Sequence, residues 1–275
     1  MRTFKRQLEF ITLTTQPTEA SSGQSSDRLC KPLLSEDFLL SQLLLFLVLP
    51  LVVESAPTSS DFLPLDCEDI YNNVSVNTGV YTIYPGGPNK PVQVYCDMGC
   101  DEDRGRWTVF QRRMDGSVNF YRSWEEYKNG FGNASTEYWL GLQNIFLITS
   151  RGKYELRVYM EDFEKGSVYA HYNSFYIDSE TYRYKLRISG FINGGAGESL
   201  FYHNEREFAT YDRDTNGCAV SNSGGYWFNN CLVSNTNGLY KWAPSAPQNA
   251  AVVWCNWKGC NYSLKTIVMK IRRAA

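Results

Sequence analysis

The sequence lacks the short motifs that mark common reaction centres. Its 275 residues contain no HExxH metalloprotease helix, no GxSxG nucleophile turn and no phosphate-binding P-loop. Only two histidines are present, His171 and His203, so few side chains suit general base chemistry near neutral pH. Adjacent acidic pairs such as Glu125-Glu126 are more typical of solvated faces than of a catalytic pair. These absences predict a binding protein and not an enzyme.

An excess of either charge is also missing. Lys and Arg number 27 against 29 Asp and Glu, which argues against a basic face for nucleic acid. Gly-X-Y periodicity and heptads are absent, so the sequence contains neither a collagen stalk nor a coiled coil. A homo-oligomer would therefore form through the globular surface or an intermolecular disulfide. Aromatic residues make up 15%, which is typical of a well-packed fold.

No uncharged apolar run is long enough for an ordinary membrane span. The longest covers residues 38–53, is interrupted by Pro50, and suits the apolar core of a secretory signal. Val53 and Ser55 are the small residues expected before a cleavage site. We therefore predict an N-terminal extension with a signal segment over 1–55, a linker over 56–66 and one domain over 67–275. The alternative is an uncleaved anchor that makes a type II membrane protein.

Three sequons fit passage through the secretory pathway. Asn73, Asn133 and Asn261 are each followed two residues later by Ser, as N-glycosylation requires. Such triplets also arise by chance, so they support secretion only weakly. The sequence predicts a secreted glycoprotein of the extracellular space or matrix.

Strand patterns dominate the chain and helical patterns are few. Helices are predicted over 124–128 and 138–148. A hairpin is predicted between 106–114 and 117–124, because the Asp115-Gly116 pair favours a tight turn. The region from about 194 to 259 is rich in Gly, Asn and Pro and is predicted to be loops. Alternating apolar and polar residues predict strands over 79–84, 91–98, 106–114, 117–124, 153–160, 167–177, 182–191 and 264–273.

Motifs along nearly the whole predicted domain resemble one family. They are LDCEDIY, GVYTIYP, VYCDM, RWTVFQRRMDGSVNFYRSWEEYKNGFG, EYWLGLQNI, KYELRVYMEDFE, GYWFNNC and YSLKTIVMKIRR. In this order they are similar to the fibrinogen C-terminal domain, and most similar to its matrix-associated members. The resemblance implies an α+β fold with a small N-terminal subdomain, a central antiparallel sheet with short helices, and a loop-rich C-terminal subdomain for ion and ligand.

The resemblance also implies two disulfides. The family pairs its first two cysteines and encloses its ligand loop with the last pair, which here implies Cys67–Cys96 and Cys218–Cys231. The remaining cysteines of the predicted domain match nothing in the family pattern. We expect one further intramolecular pair and one cysteine that is buried and free or bonded to another chain, without assigning which is which. These three residues are Cys100, Cys255 and Cys260.

A calcium site is implied just before the ligand loop. Family members bind Ca²⁺ with two Asp side chains two residues apart and with nearby oxygens, which here implies Asp212, Asp214 and Asn216. The segment before Cys218 is shorter than in most of the family and lacks a third Asp. A solvated acidic turn is therefore the competing interpretation.

A ligand pocket is implied beside the Cys218–Cys231 loop. Family lectins line it with aromatics before the second cysteine, a His after it and a downstream Tyr-Ala pair. This chain has Leu232 in place of the His, and Gln248 with Asn249 in place of the pair. Ordinary core packing is the alternative for the aromatics. These aromatics are Tyr226, Trp227 and Phe228.

The resemblance favours a secreted matrix glycoprotein that binds fibre proteins such as elastin, fibrillin or collagen. The alternative is a lectin-like innate-immune protein that recognises acetylated carbohydrate on microbes, which the two altered pocket elements weaken. An Arg-Gly-Asp sequence, present in some relatives, does not occur here, so integrin binding is not implied.

Overall fold

The structure is a computed structural model that describes residues 62–99, 105–245 and 250–275. Several predicted features lie outside these ranges: the apolar run 38–53, Cys30, Cys100, Gln248 and Asn249. Within the three described ranges, no helix is both long and apolar enough to cross a membrane.

Short helices alternate with strands along the chain. The α-helices are α1 Cys67–Asn73, α2 Trp124–Asn129, α3 Leu142–Thr149, α4 Cys218–Ser221 and α5 Cys255–Lys258. Single turns of 3₁₀ helix lie at Glu180–Tyr182 and Phe201–His203. The strands are β1 Gly79–Ile83, β2 Val92–Asp97, β3 Trp107–Arg113, β4 Phe131–Gly132, β5 Tyr138–Trp139, β6 Tyr154–Glu161, β7 Ser167–Ile177, β8 Leu186–Gly194, β9 Ser234–Asn235, β10 Val253–Trp254 and β11 Thr266–Arg273.

One antiparallel sheet organises the fold, with main strand order β1-β2-β3-β11-β6-β7-β8. The last strand, β11, lies between β3 and β6, so the chain end is built into the centre of the sheet. On β6, alternate side chains are buried, as its apolar periodicity predicts. These are Tyr154, Leu156, Val158 and Met160. The architecture confirms the predicted α+β class.

The first helix is fixed to the last strand through a buried carboxylate. Asp66 Oδ1 accepts from the backbone N–H groups of Glu68 and Asp69 at 3.1 Å and so caps α1. Its Oδ2 accepts from the Tyr154 hydroxyl and from Arg273 Nε, the latter at 2.9 Å. A disulfide joins Cys67 of α1 to Cys96 of β2. α1 is therefore linked covalently to β2 and, through the Asp66 carboxylate, to β6 and β11.

The predicted hairpin between 106–114 and 117–124 is wrong. β3 pairs with β2, β5 and β11, and residues 117–123 form no strand. The reason is the fully buried Glu137, whose carboxylate accepts four backbone N–H groups. Because a side chain satisfies these donors, the segment loops around Glu137 instead of forming a ladder. The donors are Met114, Asp115 and Gly116 at 2.7–3.0 Å and Val118 at 3.2 Å.

The helix predicted over 138–148 begins later than expected. Tyr138 and Trp139 form β5, which pairs with β3 and β4. Gly141 follows with φ +103°, and a Cβ there would lie 2.8 Å from the Asn129 carbonyl carbon. Only glycine fits this backbone, so the chain leaves the sheet at this point and α3 starts at Leu142.

Three packed aromatic rings join the sheet to the loop-rich C-terminal half. Trp139 lies on β5, whereas Phe208 and Trp227 belong to loops. Their ring centroids are separated by 5.1–6.3 Å, and all three side chains are buried. Aromatic pairs at such distances contribute beyond the area that they bury. The loop-rich half is thus packed on the same core as the sheet.

Candidate functional site

The predicted acidic turn lies between the starts of two short helices. Asp212 Oδ1 accepts from the backbone N–H of Trp124, the first residue of α2, at 2.9 Å, and from the Thr210 hydroxyl at 2.7 Å. Asp214 Oδ2 accepts from the N–H of Ala219 in α4 at 2.6 Å, and its Oδ1 accepts from Asn216 N–H at 3.1 Å. Both carboxylates therefore stabilise local backbone.

This donor set is only a partial fit to calcium. Ca²⁺ takes six to eight oxygens, and three of the four carboxylate oxygens here already accept hydrogen bonds. Over residues 62–99, 105–245 and 250–275, no group of three or more His, Cys, Asp or Glu is arranged to hold a metal ion. Asp212 Oδ2 and the Asn216 oxygens are the donors that could complete a site. Calcium binding stays a prediction.

The ligand loop is closed by the disulfide between Cys218 and Cys231, whose Cα atoms are 5.3 Å apart. Cys218 begins α4, and Gly217 just before it has φ +71°, the left-handed conformation that glycine adopts without strain. The side chains of Cys218 and Ala219 are buried. The disulfide thus joins the two ends of the loop, and the Cys218 end is packed into the core.

The predicted pocket aromatics belong mostly to the core. Tyr226 and Trp227 have no exposed surface, and Phe228 is 8% exposed. Trp227 Nε1 donates to the Tyr184 carbonyl at 2.8 Å, and the Tyr226 hydroxyl pairs with Ser234 Oγ at 3.0 Å. Two of the three rings therefore offer no face to a ligand in this structure.

Some of the predicted site residues line one polar cleft of about 350 Å³. Asp214, Asn216 and Phe228 form part of its wall, whereas Leu232 does not line it. Its charged residues are of both signs: Arg183, Lys185, Arg206 and Arg213 against Glu205, Glu207 and Asp214. Sequence reasoning missed most of these residues, because the chain brings them together from loops that show no periodicity.

A buried histidine holds the ligand loop from inside. His203 is fully buried, and its Nδ1 lies 2.8 Å from the Trp227 carbonyl oxygen. Its Nε2 lies 3.3 Å from the Ser234 N–H and 3.4 Å from the Val233 N–H. Burial lowers the pKa of His203 to about 4, although the Trp227 carbonyl opposes the shift. The ring is therefore neutral, with a proton on Nδ1 and Nε2 as acceptor. No spacing in the sequence indicates this role.

Cys255 and Cys260 form a third disulfide, with Cα atoms 4.4 Å apart. It encloses α5 and the Gly259 turn. This is the intramolecular pair that was expected among three cysteines but not assigned. The three candidate glycosylation residues, Asn73, Asn133 and Asn261, are all exposed. Their modification stays a prediction.

Comparison with known proteins gives the class to which this fold and site belong. A family model described as the fibrinogen beta and gamma chains, C-terminal globular domain, matches residues 63–274. The chain therefore belongs to the fibrinogen C-terminal domain family. The match starts within the predicted linker and spans nearly all of the predicted domain.

Within this family, two curated proteins show how similar the chain is to individual members. Human microfibril-associated glycoprotein 4 is 49% identical over 220 residues, which cover 77% of this chain and 86% of that protein. Mouse fibrinogen C domain-containing protein 1 is 45% identical over 75% of this chain but only 46% of its own length.

Solved structures show the same fold. The fibrinogen-like globe domain of human ANGPTL2 has a TM-score of 0.73 and 42% identity, and the match covers 77% of this chain and 100% of that one. Lamprey fibrin D-dimer, complexed with the peptide ligand Gly-His-Arg-Pro-amide, has a TM-score of 0.72 and 32% identity, over 78% and 75% of the two chains.

Proposed function

We propose that this protein is a secreted extracellular-matrix glycoprotein, not an enzyme, whose fibrinogen-related domain binds fibre proteins such as elastin, fibrillin or collagen. The observation that carries the proposal is the 49% identity to a protein named for its association with microfibrils, over 86% of that protein. The exposed sequons support the glycoprotein part, and the apolar run 38–53 supports secretion.

The surface of the loop-rich half suits a protein partner. Large exposed side chains are frequent there and include an indole that is 73% exposed, that of Trp242. The Trp242 ring is held in place by its Nε1–H, which donates to the Asp115 carbonyl at 2.9 Å. Fixed aromatic side chains are frequent in the energetic centres of protein interfaces. Others in this half are Phe201, Tyr202 and Tyr211.

Two further observations favour protein over acetylated sugar. Tyr226 and Trp227 are buried, so they do not line an open acetyl pocket. The lamprey relative was solved with a peptide ligand. The lectin-like alternative is tested in the same experiment.

Binding of the purified mature chain to tropoelastin and to a glycan array, each with calcium and with chelator, tests the proposal. We expect tropoelastin binding that Trp242→Ala weakens about tenfold. The control Tyr176→Ala removes a 45% exposed ring from β7 and should change binding less than about twofold. Equal effects of the two variants would count against this surface. Strong, chelator-sensitive binding to N-acetylated glycans would favour the lectin-like function instead.

We also propose that calcium binds weakly at Asp212, Asp214 and Asn216. At a concentration about twice the dissociation constant, it should stabilise the domain by about 0.6 kcal/mol. Thermal unfolding in calcium, magnesium and chelator measures this shift. Asp212→Asn should abolish the shift, whereas Asp178→Asn, which removes a surface partner of Arg187, should leave it unchanged. A transition indifferent to chelator would remove calcium from the proposal.

We further propose a homo-oligomer with an intermolecular disulfide through Cys100. Six of the eight cysteines pair within the domain. Cys30 precedes the predicted cleavage site, so the predicted mature chain has an odd number of cysteines, and Cys100 is the candidate for a bond to another chain. Intact mass under non-reducing conditions should show a disulfide-linked dimer that Cys100→Ser converts to monomer. A monomeric mass for the unsubstituted protein contradicts the proposal.

A further inference from the structure

A second polar cleft, which we call the α3 cleft, shares no residue with the candidate site. It has a volume of about 560 Å³ and lies where the Pro85–Gly86 turn of the N-terminal subdomain meets α2, α3 and Glu180. Its size is within the range of small-ligand sites. The turn, two helices and a 3₁₀ segment build its walls, so it is formed mostly by ordered elements.

Positive charge is in excess in the α3 cleft. Lys90, Lys128 and Arg151 line it together with a single carboxylate, that of Glu180. Lys128 Nζ lies 2.8 Å from Glu180 Oε2, and Glu180 Oε1 accepts from Trp124 Nε1 at 3.2 Å. The one carboxylate is therefore already neutralised. Among the described residues, neither Lys90 nor Arg151 has an acidic group within 4.0 Å.

The two unneutralised cations are held over the same turn. Arg151 Nη2 donates to the Pro85 carbonyl at 3.4 Å. The stem of Lys90 packs on Gly86, where an added Cβ would lie 3.0 Å from Lys90 Cδ. Both side chains thus line the cleft beside the Pro85–Gly86 turn. Partial ordering lowers the entropy that a ligand must overcome to bind them.

The rest of the lining suits a hydroxylated ligand. Gln143 Oε1 accepts from the Tyr184 hydroxyl at 2.8 Å, which orients the amide and leaves its Nε2 as donor. Asn144 and Asn129 each donate Nδ2 to a backbone carbonyl at 2.8 Å, which leaves their Oδ1 atoms as acceptors. Leu147 adds a half-buried apolar surface. The cleft therefore combines cations, amide donors and acceptors, and a small apolar area.

We infer that the α3 cleft binds an anionic polysaccharide, with Lys90 and Arg151 contacting its carboxylate or sulfate groups and the amides contacting its hydroxyls. Two cations beside one turn suit the repeated acidic groups of such a chain, and Leu147 can contact the apolar face of a sugar ring. An acidic peptide could also satisfy the cations and pair its backbone with the amide side chains, so it is included as a competing probe in the titration below. This inference goes beyond the proposed fibre binding and does not depend on it.

Calorimetric titration of the mature chain with length-matched oligosaccharides tests the inference. The probes are chondroitin sulfate, hyaluronan and neutral N-acetylglucosamine oligomers, with a glutamate oligopeptide as the peptide probe. We expect binding of one or both anionic sugars at about 150 mM salt, weakening as salt rises. Chondroitin sulfate alone indicates sulfate recognition, whereas equal binding of hyaluronan indicates that carboxylates suffice.

Paired charge reversals locate the site. Lys90→Glu with Arg151→Glu should weaken anionic sugar binding at least about tenfold, because two charged hydrogen bonds are lost. The control, Lys185→Glu with Arg206→Glu, makes the same charge change in the other cleft. It should weaken anionic sugar binding less than about threefold. Lys90→Gln with Arg151→Gln provides a milder variant if the reversal impairs folding. The thermal transition of this Gln double variant should match that of the unsubstituted chain.

Three results would overturn the inference. They are equal weakening by both reversals, no binding of either anionic sugar, and tighter binding of the glutamate peptide or of the neutral oligomer than of either anionic sugar. None of these outcomes bears on tropoelastin binding, so failure here is distinguishable from failure of the proposed function.

Discussion

The sheet region (residues 62–99, 105–194 and 266–273) and the loop region (residues 195–245 and 250–265) both bury their inner side chains, but by different means. In the sheet region, main-chain ladders satisfy the backbone groups of the inner strands, each of which has at least two partner strands. In the loop region, the described strands are two residues long, and individual side chains and disulfides replace ladders. Buried polar residues such as His203 and Asn237 are therefore as important there as apolar ones. A ladder tolerates the loss of one side chain better than such a network does.

Breaking the junction that Arg113 and Glu137 form between the two regions should have the largest effect on stability. Arg113 of β3 is 1% exposed, and its Nη1 donates to the Gly238 carbonyl at 2.7 Å in the loop region. Burial lowers the pKa of Arg113 to about 10, and Glu137, 3.8 Å away, is its counter-charge. Glu137→Ala leaves a buried cation and four N–H groups without their partner. We expect the free energy of unfolding to fall by about 3–5 kcal/mol in denaturant titrations.

Matched variants decide whether this loss is specific to the buried junction. Glu125→Ala removes a 62% exposed carboxylate and should change stability by less than about 0.5 kcal/mol. Glu137→Gln keeps one acceptor oxygen, so its loss in free energy of unfolding should lie between those of Glu137→Ala and Glu125→Ala. If Glu137→Ala cost no more than Glu125→Ala, the junction would not depend on this network.

Opening the ligand-loop disulfide should have the next largest effect on stability, and local opening should increase most in the loop region. Cys218 and Cys231 are separated by 13 residues, so the link should contribute about 3 kcal/mol by restricting the unfolded chain. Replacing both by Ser should increase hydrogen exchange most in the loop region, whereas β6 and β11 should remain the most protected strands. Equal loss of protection in both regions would show that they unfold as one unit.

The difference between the two regions also explains which features of the fold and site the sequence could predict. Alternation of apolar residues on β6 reports a half-buried strand directly, because the spacing of two is local. The loop around Glu137 was not predictable, since its acceptor is 19–23 residues from the donors. His203 likewise lies 24–31 residues from its partners and shows no motif. Motif resemblance supplied the class and two disulfides, whereas burial of Tyr226 and Trp227 depended on packing.

The two histidines, one in each region, allow the acid sensitivity of the loop region to be compared with that of the sheet region. His203 is neutral when folded because burial lowers its pKa to about 4 from an ordinary 6.5. Above pH 6.5 the His203 ring is neutral in both the folded and the unfolded state, so its full contribution to the free energy of unfolding is present. Between 6.5 and 4 only the unfolded state takes a proton, so stability falls as pH falls. The total loss is about 3 kcal/mol at pH 4.

His171 on β7 provides the internal control. Burial lowers its pKa as well, but Glu155, 3.1 Å from its Nε2, opposes that shift, while Arg157 and Arg272 add to it. Unfolding free energies from pH 7 to pH 4.5 should fall less steeply in His203→Gln than in the unsubstituted chain. His171→Gln should change that slope less. If the two variants flattened the slope equally, or if neither did, the neutral His203 would not be what makes the loop region sensitive to acid. Because burial lowers the pKa of His203 to about 4, whereas Glu155 opposes the shift at His171, the larger effect is expected in the loop region.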